Sequence, residues 1–266
     1  MRTDPMPTDD ELNAYYSSGY RKDYQFAGSR PPRAHIANSM RIAKARMAEL
    51  EPWIRPGARL LDFGCGSGEF AYLAQEAGCV VTAFDPGSDY LDFAKQEYGV
   101  DAFSSRWEDA DLEAGSFDII TCFHVVEHLR KPVEAISQMA EWLGDEGVVN
   151  IAVPDMRPNH KPSFDRFHFA HVHGFVAETL EAAALKAGLA PIQSHLSTTS
   201  SLFAKPKSSH TTLTDLPIRD PNRAEYLVES YPNDSPAAFV FSGKWAAQAS
   251  HRFARWRRDF LSPTKH

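Results

Sequence analysis

The sequence predicts an α/β protein built on a doubly wound, mainly parallel sheet, and three observations carry that expectation. Short apolar runs alternate with helical stretches from residue 59 onward, the order that lays parallel strands between covering helices. A glycine-rich turn, Gly64-Cys65-Gly66-Ser67-Gly68, follows the first of these strands and opens the first helix behind it. Two runs, 117–123 and 147–153, read as continuous apolar strands of the kind buried on both faces.

The elements follow in order. Residues 1–50 form a helical lead. Asp9-Asp10-Glu11 opens a first helix through Leu12 and Tyr15-Tyr16, the acids favouring its positive end, and residues 34–50 follow as a second after a Gly-Ser-Arg-Pro-Pro break. The central unit spans residues 51–205. Within it, 59–63 is a strand, 69–77 a helix stopped by Gly78, and 79–84 a β-branched strand. Residues 91–98 read as a helix ended by Gly99, 100–104 as a short strand, and 132–143 as a helix with Pro132 in its first turn. A histidine-rich loop leads to a helix at 176–187, ended by Gly188. The runs 189–195 and 201–205 then pair as a closing antiparallel hairpin.

Bulk properties narrow the function. A net charge of −7 argues against a broad phosphate-binding surface, so no nucleic-acid partner is expected. Charge is uneven: the stretch from Lys205 onward holds ten Lys/Arg against six Asp/Glu, leaving 18 against 29 elsewhere. Cys65, Cys79 and Cys122 make no even framework and no Cys-x-x-Cys pair, which suits buried thiols in a reducing compartment. The first ten residues contain no apolar core for a signal peptide, and no run approaches the ~18 apolar residues of a membrane span. The expected location is the cytoplasm.

The glycine turn is the strongest chemical signal. Its spacing is Gly-x-Gly-x-Gly; a dinucleotide loop would need glycine at 69, where Glu69 stands. Asp62, just before the first glycine, would repel a pyrophosphate and attract a cationic ligand. Asp85 ends the second strand 23 residues beyond Asp62, close to the ~20 expected of an acid that binds ribose hydroxyls.

These residues resemble the class I S-adenosylmethionine-dependent methyltransferases, in particular the bacterial group of ubiquinone-biosynthesis O-methyltransferases and surface-glycan methyltransferases. The resemblance covers about residues 53–205 and is carried by Leu-Asp-Phe-Gly-Cys-Gly-Ser-Gly at 61–68, by Ser-Phe-Asp-Ile-Ile-Thr-Cys-Phe-His-Val-Val-Glu-His-Leu at 116–129, and by the strand at 147–154. It implies a Rossmann-like sheet of seven strands and S-adenosyl-L-methionine as cofactor. Gly64, Gly66 and Gly68 would border its methionine part, with Asp62 near the amino group. Asp85 would hold the ribose, Trp107 and Glu108 would flank the adenine, and Phe123 and His124 would line the pocket; Asp109 and Asp111 offer other registers for Glu108.

Ligands of such sheets bind beyond the carboxyl ends of the strands. His124 and His128 follow the fourth strand there. His160, His168, His171 and His173 follow the fifth, among Phe164, Phe167, Phe169 and Phe175. A neutral imidazole, with its ordinary pKa of about 6.5, can take a proton from a hydroxyl. His171 and His128 are the candidate catalytic residues. His168, His171 and His173 lack helical metal-ligand spacing, so no metal is expected. Neither an Asn-Pro-Pro-Tyr nor a Pro-Cys motif is present, which by family analogy demotes DNA bases as acceptors; the resemblance implies an oxygen acceptor on a small molecule or glycan, a sugar hydroxyl or a phenol-like ring. A nucleotide-dependent oxidoreductase is the rival enzyme class, and a non-catalytic binding module the rival outside enzymes.

The extension, 206–266, carries Trp245, Ala249, Phe253, Trp256 and Phe260 on one helical stripe, with Arg255, Arg257 and Arg258 elsewhere on the helix. Packing on the chain's own core, or on a twin subunit in a homodimer, is the favoured reading. Peripheral contact of 245–260 with an anionic membrane is the other.

Overall fold

A computed structural model describes residues 2–3, 5–14, 30–157, 170–193 and 199–207. The expected tail stripe at 245–260, Tyr15-Tyr16, His160, His168 and the phenylalanines at 164, 167 and 169 lie outside them, as does the end of the predicted strand at 189–195.

The described chain runs α1 (Asp9–Ala14), α2 (Arg33–Glu49), β1 (Arg59–Phe63), α3 (Glu69–Glu76), β2 (Val80–Asp85), α4 (Ser88–Tyr98), β3 (Ala102–Ser104), β4 (Phe117–Phe123), α5 (Pro132–Trp142), β5 (Leu143–Ala152), α6 (Ala177–Lys186), β6 (Ala190–Gln193) and β7 (Ser200–Ala204). Short 3-10 turns at Trp107–Asp109 and Val126–His128 follow β3 and β4. The strands form one sheet in the order β3-β2-β1-β4-β5-β7-β6. β1 to β5 are parallel, and β7 pairs antiparallel with both β5 and β6. The expected doubly wound seven-stranded sheet with its closing hairpin is therefore observed.

Alternation along the strands divides the core in two. Leu61, Ile120, Val149 and Phe203 point to a face covered by α5 and α6, where Ile136, Met139, Trp142 and Leu180 fill the space. Their chain neighbours Leu60, Ile119, Val148 and Leu202 point to the other face, against Ala43 of α2, Phe70 and Ala74 of α3, and Leu91 of α4. Period-2 alternation with both sets apolar is what a sheet covered on both sides requires.

Three boundaries within the described residues differ from expectation by two residues or more. α4 begins at Ser88, directly after the Pro86-Gly87 turn and three residues before its first buried leucine. β5 begins at Leu143, straight from α5. Leu143 pairs with Phe117, the register jumps before Ile119 meets Val148, and the exposed Asp145 and Glu146 at the jump disguise the strand. β3 is only Ala102–Ser104, shorter than the run 100–104. All three cysteines are free: Cys79 and Cys122 are buried, while Cys65 is half-buried in the glycine turn. Among the described residues no helix is long and apolar enough to cross a membrane.

Sequence order reverses between β1 and β4: the chain moves outward from β1 to β3, then returns to place β4 on the other side. A crevice opens beyond the carboxyl ends of the strands at such a switch point. One large side chain ties the core beneath it. Trp142, 2% exposed, meets the rings of Phe63 and Phe84 at 6.4 and 6.3 Å between centroids. Trp142→Ala is expected to lower unfolding free energy by about 3–5 kcal/mol in urea denaturation, as truncation of a buried aromatic does. A loss under ~1 kcal/mol would show that α5 is not seated as described.

Candidate functional site

The glycine turn leaves β1 with three left-handed residues, Gly64 (φ 78°), Gly66 (φ 53°) and Gly68 (φ 83°). Two of these glycines are needed for packing. A Cβ on Gly64 would stand 2.4 Å from Val125 Cγ2, and one on Gly68 would stand 2.7 Å from Ala94 Cβ. Gly66 differs: nothing lies within 4 Å of where its Cβ would be, so its bare backbone borders open space in which a ligand can approach. Backbone bonds stitch the turn to β2, with the N–H groups of Gly64 and Cys65 donating to Phe84 O at 2.9 and 3.1 Å. Glu69, at the position a dinucleotide loop gives to glycine, is buried and accepts bonds from the Ser67 hydroxyl at 2.7 and 3.0 Å.

Two further carboxylates flank the turn. Asp62 is 3% exposed and accepts from Thr121 Oγ1 on β4 at 2.8 Å. Burial is the main reason its pKa is raised to about 6; the Thr121 bond and nearby Arg46 act in the opposite sense. Asp85, at the end of β2, accepts from the Gly66 N–H at 3.1 Å and the Gly87 N–H at 2.8 Å, while burial pushes its carboxyl up. A carboxylate has about four lone-pair sites, so these two bonds leave acceptor capacity for hydroxyls.

Arg46 enters from α2, its guanidinium carbon 3.8 Å from the centre of the Phe123 ring. Burial pulls its pKa down while Asp62 and Glu49 pull it up. The sequence gives no sign of this role, because Arg46 is one of three arginines on the same helix. Phe123 itself is 8% exposed, with Phe70 edge-on at 5.2 Å and Arg46 over its face. Trp107 lies in the 3-10 turn after β3, half-buried against the core, and Glu108 beside it is exposed and paired with Arg106 at 3.0 Å. Both sit at the same end of the sheet as Asp85, whose backbone oxygen accepts from the Ser105 N–H at 3.3 Å.

Beyond β4 the chain turns sharply at His124, which has a φ of 57°, the sole positive φ on a non-glycine residue among those described. Its N–H donates to Ala152 O at 2.8 Å. Glu127 then points inward, 1% exposed. His124 Nδ1 stands 3.5 Å and His128 Nε2 3.7 Å from its Oε1. Burial pushes the Glu127 carboxyl up, but the two histidines outweigh that and hold it below its usual value. His128 Nδ1 lies 3.0 Å from Ala170 O. A carbonyl only accepts, so Nδ1 carries the hydrogen and Nε2 presents a lone pair. Burial, reinforced by His171, holds the His128 imidazole down to about 4 against the pull of Glu127, so it is neutral at ordinary pH. The His171 ring meets that of His128 at 4.8 Å, tilted by 77°. The ligand atoms of Glu127, His128 and His171 all lie within 4.8 Å of one another, a set that could hold a metal ion. The sequence expectation of no metal rested on the spacing of His168, His171 and His173; this set joins His171 to Glu127 and His128 of the turn after β4 instead. His173 stands apart, its Nε2 3.4 Å from Arg130 O.

A glycine turn at the carboxyl end of β1, an acid at the end of β2 and the switch between β1 and β4, joined to an antiparallel β7 inserted between β5 and β6, make up the fold of the class I S-adenosylmethionine-dependent methyltransferases. The chain belongs to the methyltransferase domain family, whose pattern matches residues 34–194. Among curated relatives, a ubiquinone biosynthesis O-methyltransferase of Xanthomonas axonopodis pv. citri is 32% identical over 130 residues, 47% of this chain and 53% of that protein. Another, from Haemophilus ducreyi, is 28% identical over 35% of this chain and 44% of its own. The chain thus spans about half the length of the curated relatives it matches. In fold it resembles phosphoethanolamine N-methyltransferase 2 of Haemonchus contortus, solved with S-adenosyl-L-methionine, at a TM-score of 0.55 and 17% identity over 67% of this chain and 44% of that one. The [4+2]-cyclase SpnF is similar at a TM-score of 0.50 and 19% identity, over 58% and 59% of the two chains. A cyclase and a methyltransferase on one fold show that the fold alone does not set the reaction.

The turn itself yields a stability test. Gly66→Ala is expected to cost about 1–2 kcal/mol, the strain of a left-handed alanine with no clash. Gly64→Ala adds overpacking against Val125, bringing the loss to about 2–5 kcal/mol. Equal losses in urea melts would mean that Val125 gives way freely.

Proposed function

We propose that this chain is an active methyltransferase that moves the methyl group of S-adenosyl-L-methionine to an oxygen of a small acceptor. The carrying observation is the pairing of an open, Cβ-free approach at Gly66 with two carboxylates, the buried Asp62 and the half-buried Asp85, on either side of it. That lining repels a pyrophosphate and suits a ligand bearing an ammonium, a sulfonium and ribose hydroxyls, which argues against the nucleotide-dependent oxidoreductase. Asp85 holds the ribose through its remaining lone pairs, and Asp62 faces the amino group. Gly64 and Gly68 keep the turn close. Trp107 and Glu108 border the adenine; Phe123 and His124 border the methyl-donor end, where Phe123 also seats Arg46.

His128 and His171 are the catalytic candidates at the acceptor side. The sulfonium is already a good leaving group, so the protein's main work is to align the acceptor, exclude water and receive the hydroxyl proton. Relatives named for ubiquinone biosynthesis support an oxygen acceptor on a phenol-like ring; a sugar hydroxyl is the second choice. Calorimetric titration with S-adenosyl-L-methionine and with NAD, followed by S-adenosylhomocysteine release across a panel of phenols and sugars, tests the reading. Binding of NAD instead of S-adenosyl-L-methionine would overturn it, as would binding with no turnover on any acceptor.

Three outcomes follow for variants and pH. Asp85→Ala should weaken cofactor affinity by about 1.5–3 kcal/mol, the worth of hydrogen bonds to a charged group; unchanged affinity in calorimetry would remove the ribose assignment. The Asp62 pKa is raised to about 6, and only its ionised form attracts an ammonium. Affinity should therefore be full above that value and fall as pH drops through it, whereas Asp62→Asn should bind weakly with a flat pH profile. A wild-type profile that is equally flat would separate Asp62 from the ligand. His171→Ala should lower turnover about 10²–10⁴-fold while leaving cofactor affinity alone. Near-normal turnover would move the role to His128 or His124.

A further inference from the structure

Glu127 lacks a local explanation. It lies in the turn after β4, 1% exposed, and among the described residues neither carboxylate oxygen meets a donor closer than the His124 ring nitrogen at 3.5 Å. A buried charge without hydrogen bonds is strongly unfavourable unless something else meets it. The nearest groups are ring nitrogens at ion-pair distances, His124 Nδ1 at 3.5 Å and His128 Nε2 at 3.7 Å. The His128 ring presents its lone pair toward Glu127, since its other nitrogen donates to Ala170 O. Two groups with electron pairs aimed at each other leave room for a cation between them. His171 closes the group, its ligand atom within 4.8 Å of both others.

We propose that Glu127, His128 and His171 form a binding site for one divalent transition-metal ion. The donor set, two imidazoles and one carboxylate, suits Zn²⁺, Mn²⁺, Fe²⁺ or Co²⁺ better than the all-oxygen ions Ca²⁺ and Mg²⁺. A tetrahedral ion bound at 2.0–2.1 Å holds its ligand atoms about 3.4 Å apart, so the Glu127–His128 spacing is nearly right and His171 closes in by rotation. The supporting shell is also present. Metal-bound histidines commonly donate their second N–H to a carbonyl, as His128 does to Ala170. The two segments that supply the ligands are tied by the His173 N–H, which donates to Glu127 O at 3.0 Å. With neutral rings the cluster carries one negative charge, which a divalent ion more than offsets. His124, more than half exposed with Nδ1 3.5 Å from Glu127 Oε1, lies outside this three-ligand set, which leaves a fourth position on the ion for water or an acceptor oxygen. On the methyltransferase reading above, an acceptor hydroxyl bound to the ion would be polarised by it and lose its proton to water more readily, with His128 and His171 then acting as ligands and not as the base.

Direct binding tests this without any methyl acceptor. The full chain, stripped with a chelator, is titrated with Co²⁺ and followed by visible absorption, with Zn²⁺ competition by calorimetry. The expected result is one equivalent of bound Co²⁺ with the d–d bands of an ion held by nitrogen and oxygen, displaced by Zn²⁺. His171→Ala and Glu127→Gln should each weaken Co²⁺ binding by at least ~10-fold, whereas His35→Ala, on α2 beside Tyr90, should leave it unchanged. Circular dichroism should confirm that His171→Ala folds. No cobalt bands in the wild type, or bands that survive both cluster substitutions, would overturn the site. S-adenosyl-L-methionine titrations on the same samples keep the two readings apart: cobalt binding without cofactor binding sinks only the methyltransferase reading, and the reverse sinks only the metal.

Discussion

β1 lies between β2 and β4, and the three run in parallel, so their carboxyl ends arrive together at one edge of the sheet. Polar groups at that edge must find partners within it or from a ligand. Asp62 pairs with Thr121 across β1 and β4, and Asp85 reaches from β2 to the Gly66 N–H in the turn after β1. These two bonds fix where the turn sits relative to its neighbours. Everything else at the site, from the open side of Gly66 to the left-handed exit of β4 at His124, is placed from that edge.

The electrostatics of the edge are one-sided. Asp62, Glu69 and Asp85 all have pKa values raised chiefly by burial, which means that the protein holds them in a medium that disfavours their charge. Arg46 is the cation that α2 brings among them, and it is seated on Phe123 rather than bonded into a tight ion pair. Such a cleft gains from any ligand that brings positive charge. Glu127 is the same problem left open, with the ring nitrogens of His124 and His128 at 3.5 and 3.7 Å in place of a hydroxyl or a backbone N–H. The two halves of the cleft therefore differ in chemistry: a carboxylate and glycine half on β1 and β2, and an imidazole half beyond β4 and β5.

Much of this was legible in the chain. β4 falls where a continuous apolar run places it, because a strand buried on both faces can hardly be anything else. The turn at 64–68 is legible because left-handed residues between a strand and a helix demand glycine, and the acids before and after it follow at fixed offsets. β5 was harder. Its first residues carry Asp145 and Glu146, and only pairing of Leu143 with Phe117 makes them strand. The 3-10 turns after β3 and β4 have no periodicity long enough to show in a sequence.

The sequence by itself determined which residues end the strands that carry the site, that the turn after β1 needs glycine, and that Asp62 and Asp85 bracket it. These follow from local rules, since strand ends and turns are specified by the residues within them. Tertiary structure alone decided that Arg46 of α2 lies over Phe123, and that Glu127 and His128 meet His171 across 43 residues of chain. No local pattern encodes those meetings. They depend on how α2 packs against the sheet, and on a backbone bond from His173 to Glu127 that draws the loop after β5 onto the turn after β4.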